Sequence, residues 1–249
     1  MNSTARSITR DLLALLTVIV LATATGCNGG DSLSSGNGLT ESDAASIVAS
    51  SFGTGSSTNG LTGQIESGAS LATGGSFGKA DAFALALRET TITRQKTSGV
   101  YTYNYTFHFA YGLVGESFDV LYDMKGTYST PRMSSDDSAN AVLHFTNLLA
   151  NPITLNGTYV RLGSQTFRVG DADQLTTTLQ AVLTGVTIDR NTRRVTGGTV
   201  ALSITAARDD NSTITLTGTL TFLGNGLATL VVNGKTFNLN LDYAEADPA

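Results

Sequence analysis

An antiparallel all-β fold is what this sequence predicts, on three observations. Apolar and polar residues alternate with period two through most of the chain from about Asp81 onward, as in strands with one buried face. Between the alternating runs stand short clusters of Gly, Asn and Asp that suit tight turns. The composition agrees: 41% of residues are hydrophobic, only 14% are charged and 27 are Gly, a balance that fits pleated strands and turns better than surface helices. About ten or eleven strands joined by hairpins predict an up-and-down meander closed as a barrel or a strongly curled sheet. The alternative is a two-sheet β-sandwich.

The elements follow in order. Residues Asn28 to Gly38 are almost all Gly, Ser, Asn and Asp, too polar to fold alone, and make a coil about 20 Å across. Thr40 before Glu41-Ser42-Asp43 is a capping-box-like start, and Ala44, Ile47, Val48 and Phe52 then share one helical face, which predicts a short helix over Glu41 to Ser51. A second, weaker helical patch spans Leu61 to Ala72.

Strands begin with Phe83, Leu85 and Leu87, and the polar run Arg94 to Gly99 reads as a turn. The clearest strand follows: Tyr101, Tyr103, Tyr105, Phe107, Phe109 and Tyr111 on one face, with Thr102, Asn104, Thr106, His108 and Ala110 on the other. Phe118, Val120, Tyr122 and Met124 form the next, opposite Asp119 and Asp123, and Ser134 to Ser138 reads as a loop. Further strands are predicted at Ala141 to Leu149, Ile153 to Leu162, Gln165 to Val169 and Leu175 to Ile188, the last bent at Gly185. After the polar turn Asp189 to Arg194, the chain closes as a meander through Val200 to Ala206, Ile214 to Phe222, Leu230 to Val232 and Phe237 to Leu241, with Asn233-Gly234 a strong hairpin signal. Ile153 to Thr158 echoes Ile214 to Thr219, which sets Asn156-Gly157 inside a strand.

The amino-terminal segment carries a different message. Arg6 and Arg10 precede an apolar run from Leu12 to Leu21, then small residues from Ala22 to Gly26 lead into Cys27, the single cysteine. This is the three-part pattern of a secretory signal, and an apolar run of about 10 residues is half what a membrane-spanning helix needs. With Ala24, Thr25 and Gly26 directly before Cys27, the segment resembles the lipobox of bacterial lipoprotein precursors, although Ala24 stands where that family most often has Leu. The resemblance covers residues 1 to 27. It implies that Cys27 is lipid-modified and becomes the new amino terminus, anchoring the protein to the membrane. Asn28 stands where inner-membrane retention uses Asp, so the resemblance implies the outer membrane. The mature domain is similar to curled-sheet bacterial lipoproteins and lipid carriers only at the level of strand pattern.

The expected organisation is a signal peptide over 1–26, a lipidated tether over 27–38, a short helical and linker region over 39–80 and the β domain over 81–243. Loss of residues 1–26 removes Arg6, Arg10 and Asp11, leaving 13 basic and 19 acidic residues and a charge of −6. That balance excludes the basic footprint of a nucleic-acid partner. A single cysteine permits no intramolecular disulfide.

Several residues invite chemistry. Tyr101, Tyr103, Tyr105, Phe107, Phe109 and Tyr111 could line a site for an acyl chain or a sugar, although such a stripe is ordinarily core. Glu116, Asp119, Asp123, Asp136 and Asp137 are the nearest approach to paired carboxylates, yet nothing in the sequence brings them together. His108 and His144, the only histidines, lack the clustered ligands of a metal site. Gly74-Gly75-Ser76-Phe77-Gly78 matches G-x-S-x-G without its strand and helix context, and the acidic turns Gly170 to Asp173 and Asp209 to Asn211 lack the spacing of a calcium loop. The expectation is therefore no catalytic residue, no metal and no cofactor. The sequence reads as an anchored, non-catalytic envelope lipoprotein that binds an apolar or amphiphilic ligand or a protein partner. A surface structural or adhesive module and a carboxylate hydrolase are the alternatives.

Overall fold

The computed structural model describes residues 39–54, 60–74, 88–98, 101–114, 117–129, 133–168, 174–207 and 212–249; in the first two strands most positions are described by their backbone alone. Two helices, α1 (Glu41–Phe52) and α2 (Leu61–Gly74), precede eleven strands. The strands are β1 (Arg88–Ser98), β2 (Tyr101–Val114), β3 (Ser117–Ser129), β4 (Met133–Thr146), β5 (Ile153–Phe167), β6 (Gln174–Ile188), β7 (Val195–Ala207), β8 (Thr213–Gly224), β9 (Leu227–Val232), β10 (Lys235–Asn240) and β11 (Glu245–Pro248).

They form one sheet in simple sequence order, each strand antiparallel to the next. The fold is all-β as the alternation predicts. Among the described residues β1 and β11 are the two edges of a linear order, so of the two expected closures the strongly curled sheet is found and the closed barrel is not. Among the described residues no second sheet covers it; the two helices do, in place of the two-sheet sandwich held as the alternative.

The helices lie against the apolar face. The α1 start is a complete capping box: Asp43 N–H donates to Thr40 Oγ1 at 3.1 Å, and Thr40 N–H to Asp43 Oδ2 at 3.1 Å. Buried Ala44, Ala45, Ile47, Val48, Ala49 and Phe52 then pack into the same core as Leu143, Leu183, Leu220 and Leu230 of the sheet. The Phe52 ring lies 6.0 Å from that of Tyr159 on β5 and 6.4 Å from that of Phe222 on β8. On α2, Gly68 backs onto Phe145 of β4 and Val120 of β3. Beyond β10, Leu241 C=O accepts a 2.8 Å bond from Thr54 N–H, just past α1. The strand spacing of about 4.8 Å would set β3 and β10 about 34 Å apart in a flat sheet, whereas a helix with its side chains is about 10–12 Å across. One helix pair can reach all these strands only because the sheet wraps around it.

Polar contacts fix the helices at the sheet's rim. Lys235 Nζ meets Glu41 Oε2 at 2.8 Å at the start of α1. Arg194, in the β6–β7 turn, reaches Glu66 of α2 at 3.5 Å and Asp242 at 3.1 Å, and Thr54 donates its hydroxyl to Asp242 at 3.0 Å. Burial raises the pKa of Glu66, with Arg194 opposing.

Several boundaries differ from the sequence reading. Residues 81–87, with Phe83, Leu85 and Leu87, lie outside the described residues, and Arg94 to Ser98 continue β1 rather than turning. Their polarity does not break the ladder, because register to β2 is held along the whole strand. Ser134 to Ser138 is likewise strand, not loop, paired on both sides with β3 and β5; its inward side chains are polar but satisfied, as described below. The two strands read over 153–169 are one, β5, which passes through Gly163-Ser164. Past the expected end of the β domain at residue 243, the chain adds one more strand, β11, paired with β10.

Turn chemistry follows the sequence more closely. Asn233 and Gly234, at φ 47° and 80°, join β9 to β10 as a two-residue hairpin turn. Gly185, at φ 58°, sits at the register irregularity of β6 against β7. The sequence echo is also structural. Gly157 packs on the Val142 carbonyl with Leu143 beside it, and Gly218 on the Val231 carbonyl with Leu202 beside it. In each case a missing Cβ admits a neighbouring strand's leucine over the backbone.

Candidate functional site

Among the described residues the sheet carries a polar constellation on each face. The inner one arises where alternation along β4 and β5 turns Ser135, Asp137, Arg161 and Gln165 toward the core. Asp137 is flanked in register by Gly126 of β3 and Gly163 of β5, positions without side chains. Its carboxylate fills that space: a Cβ on Gly163 would meet Asp137 Oδ1 at 2.7 Å and collide with the Gln165 amide.

Arg161 Nη2 donates to Asp137 Oδ2 at 2.6 Å, and Ser135 Oγ donates to Asp137 Oδ1 at 2.6 Å. The other terminal nitrogen of Arg161 donates to Ser51 Oγ at 2.6 Å and Ser50 Oγ at 3.3 Å. Ser50 and Ser51 are in the last turn of α1, and both hydroxyls also donate back to Ile47 C=O. One step along β6, Thr177 donates to Gln165 Oε1 at 2.6 Å. A buried charge persists only when paired and hydrogen-bonded, and this network supplies both conditions. It locks the C-terminal turn of α1 to the middle of the sheet. Tyr159, one inward position before Arg161, is pushed up to about 12 by burial, with Arg161 pulling weakly the other way. Neither Asp137 nor Tyr159 is presented to solvent.

The outer constellation joins Asp119 and His144 across β3 and β4, a registered pair. His144 Nδ1 lies 2.9 Å from Asp119 Oδ1, and Ser117 Oγ donates to the same oxygen at 2.9 Å. A hydrolytic triad needs serine on the imidazole and carboxylate behind it. Here serine and imidazole both bind one carboxylate, on an open face, which makes a surface polar cluster.

The remaining sequence candidates distribute as follows. Asp119 and Asp123 are four residues apart on one face of β3, hence about 13–14 Å apart along the strand, beyond the separations that glycoside hydrolysis uses. Asp123 is a register partner of His108. Asp136 is exposed while Asp137 is buried, so the neighbours lie on opposite faces. Tyr111 is half-buried, its ring 5.9 Å from the buried Phe118 ring. The side chains of Tyr101, Tyr103, Tyr105, Phe107 and Phe109 lie outside the described residues; their backbone runs in β2, in register with β1 and β3. Cys27, Glu116, the segment 75–78 of the G-x-S-x-G match, 170–173 and 209–211 also lie outside them.

Among the described residues no group of three or more His, Cys, Asp and Glu side chains could hold a metal ion, and no helix is long and apolar enough to cross a membrane. Neither the inward Arg161 nor the strand position of Asp137 is among the expectations from sequence. The available signal was the alternation of Asp137 with Ala139, Ala141 and Leu143, and of Arg161 with Tyr159. No family model, curated protein or solved structure matches the chain.

Proposed function

We propose that this chain is a bacterial envelope lipoprotein, anchored through Cys27 in the outer membrane, whose β domain is a non-catalytic binding module. The observation that carries the anchor is the order of the amino-terminal sequence: basic residues, the apolar run Leu12 to Leu21, small residues, then the single cysteine. Two or more acyl chains at that cysteine give the stable membrane attachment that one chain does not. The polar stretch Asn28 to Gly38 is then the tether.

What supports a binding module is the division of the sheet's two faces. Among the described residues the inner face packs on α1 and α2, and the buried Arg161–Asp137 pair ties α1 in place. Tyr111 packs on Phe118, a core role; the other five aromatic side chains of the stripe lie outside the described residues. The outer face of the sheet is the broad surface left to meet a partner.

Metabolic labelling with a clickable palmitate analogue tests the anchor. Label should enter the wild-type chain and be lost from Cys27→Ser, which should also leave the membrane fraction. Equal labelling of the two, or none in the wild type, would overturn it.

A further inference from the structure

The five strands β5 to β9 are 15, 15, 13, 12 and 6 residues long, and only one residue among them is charged. That residue is Arg161, which is buried on the inner face. The outer face of five consecutive strands is therefore free of charge, where average soluble sequences are about a quarter Asp, Glu, Lys and Arg. Soluble sheets normally mix both signs across such a surface.

Threonine takes the place of charge. Along β8 every outward position from Thr213 to Thr221 is threonine. Register sets Thr178 beside Thr205 and Thr205 beside Thr215, with the last two hydroxyls 3.1 Å apart. Thr187 and Thr196 repeat the contact at 3.1 Å. Strand geometry spaces these hydroxyls by about 4.8 Å across strands and about 6.8 Å along them, and each hydroxyl can donate once and accept twice.

The same face argues against other partners. Nucleic acid needs a basic surface. Protein interfaces concentrate aromatic residues, Met and Arg at their centres, and among the described outward side chains of β5 to β9 there is none of these. A lipid-facing sheet carries aromatic girdles at its borders, and this one alternates threonine with aliphatic side chains, among them Val182, Val231 and the exposed Leu162, Leu223 and Leu227.

From this we propose that the outer face of β5 to β9 binds an uncharged, hydroxyl-bearing polysaccharide, through many weak hydrogen bonds and methyl contacts repeated along the chain. Repetition on both partners supplies avidity that no single contact has. The inference rests on the reading of the domain as a binding module and is independent of the anchor.

The test is co-sedimentation of the full chain in mild detergent with cellulose, chitin and starch granules, with alginate gel as the anionic comparison. At least one neutral polymer should bind the protein equally at low and high salt. Ala201→Lys and Thr217→Lys, at exposed positions on β7 and β8, should each weaken binding about tenfold. Asn238→Lys on β10 should not, and circular dichroism should show all three variants folded. Failure to bind any neutral polymer, binding to alginate alone, or undiminished binding by the folded Ala201→Lys and Thr217→Lys proteins would overturn the proposal. So would a dimer in detergent that these two substitutions dissociate, since the face would then belong to a second copy. Palmitate labelling is unaffected by any of these results, so failure of the sugar site and failure of the anchor are separately visible.

Discussion

Arg161 and Asp137 meet at 2.6 Å inside the sheet, with side chains only 4% and 0% exposed. Their pairing joins β4 to β5, and the other arm of the guanidinium carries the connection to Ser51 of α1. Removing one partner leaves the other charged and buried. Asp137→Ala should therefore destabilise the chain by about 3–5 kcal/mol. The double variant Asp137→Leu, Arg161→Met should recover most of that loss, because a buried pair replaced by apolar residues of similar volume is often neutral. Urea denaturation of the two variants checks this; a double variant no more stable than Asp137→Ala would refute it.

Tyr159 gives the interior a signature in base. Its folded pKa is raised from 10.0 to about 12 by burial. Between those values the unfolded chain has lost the phenolic proton and the folded chain keeps it. The stability this contributes is full below pH 10 and falls as pH rises toward 12. Thermal melts across that range should show a decline that Tyr159→Phe lessens. An equal decline in both proteins would assign the effect elsewhere.

Gly68 tests how closely α2 is seated. Alanine in a helix interior is favoured over glycine by about 1 kcal/mol, yet a Cβ at Gly68 would stand 2.8 Å from Phe145 Cζ. Phe145 is fully buried and its ring has no solvent to swing into. Overpacking of this kind costs about 1–3 kcal/mol and outweighs the propensity gain. Gly68→Ala should lower the urea midpoint, while Gly68→Ala combined with Phe145→Leu should restore part of it.

Asp189 organises the β6–β7 turn. Its carboxylate accepts from Thr192 N–H at 2.7 Å, the Asn151 amide at 3.0 Å, the Thr192 hydroxyl at 2.9 Å and Asn191 N–H at 3.0 Å. These donors, the Thr192 backbone first, lower its pKa to about 2. The stabilising contribution is present above the unfolded carboxyl value of about 4 and is lost as pH falls toward 2. Carboxyl carbon shifts followed by NMR should give a midpoint near 2 for Asp189, and Asn151→Ala should raise it. A midpoint in the ordinary aspartate range would contradict the turn geometry.

How legible each feature was depends on the range of the interaction that fixes it. The α1 capping box and the Asn233-Gly234 turn are local: their partners lie within a few residues, so spacing alone predicts them. Local polarity does not mark strand ends at Arg94 to Ser98 or Ser134 to Ser138, where polar runs continue the ladder. In the second case Ser135 and Asp137 lie inward because Arg161, 24 residues from Asp137 along the chain, meets the carboxylate.

The sequence by itself determined the class of fold, the order of its hairpins and the charge-free composition of β5 to β9, since period two and turn residues act over neighbouring positions. It also carried the amino-terminal pattern behind the anchor proposal. Tertiary structure decided that the sheet stays open among its described strands, and that helices rather than a second sheet cover its apolar face. It alone placed the two polar clusters on opposite faces. Those outcomes depend on which distant strands a short helix pair can touch at once, and curvature sets that distance.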